Sequence, residues 1–188
     1  MTRSSARKKE GAAQRAAAPE HMPTALLPLP QGGSRFLMRF CGLALGAFAI
    51  LYFATEGETA WLTHVEASAV LALLHGLGLH ARLDGPRLAV PGFSASVVDQ
   101  CTAVYESALL VAAILAFPAN ARERAWGIGI GVLLLVALNL VRIASLLVVG
   151  AWLPEWFTAL HLYAWQAILA AAVVGFWLGW IARTHRDA

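Results

Sequence analysis

The chain has 188 residues, of which 59% are hydrophobic and only 13% charged, against roughly 45–50% and 25% in ordinary soluble domains. So large an apolar excess cannot be buried in one small core. This excludes a water-soluble globule, and also disorder, a coiled coil or a disulfide scaffold as the main architecture. The net charge of +3 is unevenly placed: residues 1–40 carry Arg3, Arg7, Lys8, Lys9, Arg15, Arg35 and Arg39 against Glu10 and Glu20, a balance of +5, and the other 148 residues stand at −2.

The composition predicts an all-α polytopic membrane protein with three parts. Residues 1–35 are expected to form a disordered basic leader on the cytoplasmic side, near anionic lipid. Residues 36–182 are expected to be the membrane-embedded domain, and 183–188 a cytoplasmic tail. The leader lacks the interleaved aromatic residues of a nucleic-acid binder, so no nucleic-acid partner is expected.

The first apolar run, 36–54, has the length of one crossing of a hydrocarbon core of roughly 30 Å. It reads as an uncleaved anchor, because the leader is long for a signal peptide and the run continues past Ala47-Phe48-Ala49, a sequence resembling a cleavage site. Residues 59–80 read as an amphipathic helix on the outer leaflet, with a fifth span as the alternative. Residues 82–98 contain Asp84-Gly85 and Pro91-Gly92 turns and predict a small β-hairpin or extended lid.

Three further spans are expected at 102–117, 125–150 and 162–181, with Pro118 as a stop after the first of them. With four spans, the leader, the Arg122/Arg124 loop and the Arg183/Arg186 tail all lie on the cytoplasmic side, as the positive-inside rule requires. Segments 55–100 and 151–160 then face outward, and Trp152 and Trp156 fall at the outer interface while Trp126, Trp177 and Trp180 fall at the inner one.

Four antiparallel spans bring the unusual residues to one side. Cys101 is a lone thiol at the outer end of the second span, a membrane away from Cys41 and so out of disulfide reach. Arg142 lies eight residues before Gly150 within an apolar run, where an arginine costs at least ~2.5 kcal/mol. It therefore needs a polar partner or a wet recess. Asn139 shares its face at i−3, and Glu106, at comparable depth, is the expected counter-ion. His161 opens the last span.

Cysteine, arginine and histidine together suit nucleophilic chemistry. A nearby cation favours the thiolate, an imidazole shuttles the proton, and a guanidinium steadies an oxyanion. His64, His75 and His80 lack the close spacing of metal ligands, so no metal or other cofactor is expected.

Four stretches, taken in order, resemble the exosortase/archaeosortase family: Asp99-Gln100-Cys101, Ala116-Phe117-Pro118, Asn139-Leu140-Val141-Arg142-Ile143 and His161-Leu162-Tyr163-Ala164-Trp165-Gln166. The chain looks most like the compact exosortase H type, over about residues 36–181. Ala103 departs from the pattern, since the family commonly has glycine two residues after the cysteine.

The resemblance implies an inner-membrane cysteine peptidase or transpeptidase. Its partners would be membrane lipid and exported proteins that end in a sorting tail of short motif, hydrophobic helix and basic cluster. It also implies that Cys101 is the nucleophile, Arg142 and His161 are essential partners, and Asn139 is the asparagine that precedes the arginine. Two other readings are a non-catalytic assembly subunit joined by an Arg142–Glu106 pair, and a thiol redox carrier. The second is disfavoured because no other outer cysteine could resolve a disulfide.

Overall fold

The computed structural model describes residues 33–53, 56–98 and 101–184, with the side chains of 56–60 left aside. Most of the leader, Asp99 and Gln100, and the end of the tail lie outside the described residues. Among the described residues the elements run α1 (Gly33–Phe53), α2 (Glu56–Gly76), β1 (Arg82–Asp84), β2 (Arg87–Val90), β3 (Phe93–Ser96), α3 (Val104–Ala116), α4 (Ala121–Trp152), α5 (Pro154–Ala159), a π turn (Leu160–Ala164) and α6 (Trp165–Thr184).

Three stretches among the described residues are long and apolar enough to cross a membrane: Gly33–Phe53, Ala121–Trp152 and Pro154–Thr184; Val104–Ala116 is a shorter apolar helix. The chain is thus an all-α polytopic membrane protein with a small sheet, as the composition predicts. α3 has 13 residues, about 20 Å of helix, whereas the 32 residues of α4 reach about 48 Å. α4 therefore exceeds a hydrocarbon core of roughly 30 Å and has length to spare for a site beyond it.

Local chemistry sets the breaks. α3 stops where Phe117 turns extended ahead of Pro118, a residue that disfavours helix in its predecessor. α4 starts on a capping box: Asn120 Oδ1 accepts from the Glu123 N–H at 2.8 Å, and Glu123 Oε2 accepts from the Asn120 N–H at 3.2 Å. Leu153 leaves the helical region and Pro154 restarts the chain as α5, because proline is tolerated in the first turn.

The helix expected at 59–80 forms as α2, and one face of it packs against the protein. α2 lies over α4 and the sheet, with Ala67, Val70 and Leu74 sharing a buried cluster with Leu88, Val97, Ile143 and Leu147. Its apolar residues are not gathered on one outer stripe. The spacing i, i+3, i+7 of the buried ones serves protein packing instead. The helix ends in a Schellman motif, with the Leu79 N–H donating to Leu74 O, the Gly78 N–H to His75 O, and Gly78 at φ +77°.

The expected hairpin is a three-stranded antiparallel meander of order β1-β2-β3, with Leu83 opposite Leu88 and Ala89 opposite Ser94. Phe93 from this sheet lies flat over Gly150 of α4, where a Cβ would fall 2.5 Å from the ring. A second buried cluster joins Leu110 and Ile114 of α3, Leu135 of α4 and Trp180 of α6.

Gly131 permits a close approach in that cluster: an added Cβ would meet Leu110 at 2.5 Å and Phe176 at 2.7 Å, whereas at Gly129 nothing lies within 4 Å. Alanine gains about 1 kcal/mol of helix propensity over glycine at either position, but overpacking costs about 1–3 kcal/mol at Gly131 alone. In detergent, Gly129→Ala should leave the melting temperature unchanged or raise it, and Gly131→Ala should lower it.

Candidate active site

Cys101, Arg142 and His161 line one small cleft of about 60 Å³, walled by Leu88, Ala95 and Val97 from the sheet region and by Ile143 and Leu147 of α4, with Phe157 beside His161. That volume holds a few water molecules. Three chain segments far apart in sequence thus contribute one thiol, one guanidinium and one imidazole to the same recess.

Cys101 is half-buried and reduced, and it sits in the short turn that leads into α3. Its backbone is held at both ends: the N–H donates to Val98 O at 2.7 Å, and the carbonyl accepts from Asn139 Nδ2 at 2.8 Å. Asn139, with no exposed surface, also donates from Nδ2 to Glu66 Oε2 at 3.0 Å. The other oxygen of Glu66 accepts from the Ala103 N–H at 3.4 Å. Burial pushes the Glu66 carboxyl above its ordinary range and the nearby Glu106 adds to this, while the Ala103 N–H, Asn139 and Arg142 pull it back.

Arg142 is 2% exposed, and its Nη1 has no hydrogen-bond partner. The expected counter-ion is corrected: no ion pair joins Arg142 to Glu106, whose own Oε2 is buried without a partner. The carboxylate tied into the α4 polar face is that of Glu66, through Asn139. Glu66 was overlooked because its helix read as a leaflet-resting one. The available signal was Thr63 and Glu66 at i, i+3, in line with Ala67 and Val70, all four of which are buried.

His161 lies in the π turn, where the Trp165 N–H reaches back to Leu160 O. Such widened turns often occur at functional sites. A chain of aromatic contacts seats the imidazole: Phe93 packs on Gly150, Phe157 meets Phe93 at 5.1 Å between ring centroids, and His161 meets Phe157 at 5.5 Å. Cys41 is exposed on α1 and has no part in the cleft. Among the other histidines, His64 faces Ser68 at 3.4 Å and His75 contacts Ala81 O at 3.0 Å.

Nothing among curated proteins or solved structures matches the chain. The sequence model of transmembrane exosortases, EpsH type, matches residues 10–178, which takes in the first buried cluster and Cys101, Arg142 and His161 of the cleft. With most of its length covered by that match, the chain belongs to the transmembrane exosortase family.

Proposed function

We propose that this exosortase is a membrane-embedded cysteine peptidase or transpeptidase that removes a C-terminal sorting tail from exported proteins. One observation carries the reading: Cys101, Arg142 and His161 share a cleft, and the Arg142 guanidinium there is buried with a nitrogen left unpartnered. A buried donor without a partner is costly and suits a site where negative charge arises only during reaction.

In this mechanism His161 takes the proton from Cys101 Sγ, and the thiolate attacks the carbonyl carbon of the scissile amide. The carbonyl oxygen becomes an oxyanion, to which Arg142 donates. The C–N bond then breaks, His161 protonates the departing amine of the tail, and the rest of the substrate stays on Cys101 as a thioester. Water or an acceptor nucleophile attacks that thioester and restores the thiol.

The basic flanks support a cytoplasmic placement for both termini and the Arg122/Arg124 loop, which puts the cleft on the outer side of the inner membrane. The hydrophobic part of the tail has a matching path: an apolar groove of about 700 Å³ lined by Gly46, Leu62, Val104, Ala108 and Val136 reaches Glu66 and Ala103, beside the Cys101 turn. The alternative of a non-catalytic subunit joined by an Arg142–Glu106 pair draws no support from Glu106 Oε2 and Arg142 Nη1, both of which are buried without a partner.

Cys101→Ala should abolish tail removal while the protein still accumulates in the membrane; unimpaired removal would refute the proposal. Loss of the oxyanion donor in Arg142→Ala should lower kcat by about 10²–10³-fold. Arg142→Lys should rescue it only in part, because the ammonium lacks the planar fork. Filling the groove with Ala108→Trp adds an overpacking penalty of about 1–3 kcal/mol. This should raise KM for a tailed substrate by about tenfold and leave alkylation of Cys101 unchanged.

A further inference from the structure

We propose that Glu66 is a positioning residue for the candidate nucleophile, acting through the Asn139 amide to hold the Cys101 turn in register with Arg142 and His161. The proposal rests on the peptidase reading for its purpose, but its geometry stands by itself.

An asparagine amide has two N–H donors, and Asn139 directs Nδ2 to Glu66 Oε2 at 3.0 Å and to Cys101 O at 2.8 Å. Its Oδ1 is buried and has no partner. No acceptor-side contact therefore fixes the orientation of the amide. The two acceptors alone decide which way it faces. Remove the carboxylate and only Cys101 O is left to hold the amide, so the amide and the turn it grips lose one of their two anchors.

Glu66 also takes the Ala103 N–H at 3.4 Å. One carboxylate thus touches the turn directly at Ala103 and indirectly at Cys101. A glutamate 5% exposed among Ala67, Val70 and Leu74 is poorly explained by stability. A well-packed apolar residue of similar volume is often as stable as a buried charge or more so. Precision at the turn explains its presence better, since misplacing a reacting group by about 1 Å can cost about 10²-fold in rate.

The test uses the full chain in a Cys41→Ala background, so that Cys101 is the only thiol, and compares Glu66→Met, Glu66→Gln, Asn139→Ala and Glu66→Met/Asn139→Ala. Methionine keeps the volume and removes both acceptors; glutamine keeps one. Glu66→Met should accumulate and melt like the parent but lower kcat for tail removal by about 10²-fold, with KM little changed. It should also alter the rate at which maleimide alkylates Cys101, with Glu66→Gln in between.

The losses in the double variant should be less than additive, because Glu66 and Asn139 share one amide path to Cys101 while Glu66 alone reaches Ala103. Parental alkylation and kcat in a folded Glu66→Met protein would overturn the proposal, as would additive losses in the double variant. If Glu66→Met fails to fold, full activity and parental alkylation in Asn139→Ala would overturn it. A Cys101→Ala protein that still removes tails would sink the peptidase reading. The alkylation rates would then still decide whether Glu66 orders the turn.

Discussion

A guanidinium held 2% exposed in an apolar bundle, with one nitrogen unpartnered, is the constraint that the rest of the structure accommodates. Removing one partner from a buried ion pair typically costs about 3–5 kcal/mol, and here no ion pair with Glu106 offsets the burial of Arg142. The surroundings reflect this. One turn before Arg142, Asn139 is buried and fully engaged through Nδ2, and the cleft beside Arg142 receives the ionisable side chains of Cys101 and His161.

The length of α4 makes such a site possible. At about 48 Å the helix carries the apolar contacts of Gly127, Gly131 and Leu135 with α3 and α6 over its first half, and the polar pair Asn139 and Arg142 further along. Its last turns, Ile143 to Gly150, are covered by α2 and the sheet. The sheet is thus part of the cleft wall, and through Phe93 and Phe157 it reaches the imidazole of His161. The break at Leu153–Pro154 returns the chain so that Arg142 and His161 meet in the same cleft.

The apolar helices were legible because hydropathy and the stop at Pro118 are local signals. Cys101, Arg142 and His161 stood out because each is costly or exceptional where it occurs, and four antiparallel spans bring them to one end. Glu66 was hidden for the opposite reason: a glutamate among alanines and leucines near a proposed interface looks like an ordinary solvated residue. The packing of α2 on α4 reveals that it faces inward. The extended character of 82–98 was legible, and the structure resolves it into three strands, the third being Phe93–Ser96. The π turn at His161 was missed because its widening leaves no mark in local composition.

The measurement that bears most directly on the role of the cleft is mass spectrometry of the intact protein, quenched during turnover of a tailed substrate with no amine acceptor present. A thioester between Cys101 and the tail-free substrate, absent from Cys101→Ser and released by hydroxylamine, is the predicted result. Tail release with no adduct at Cys101, or an adduct carried by another residue, would contradict it.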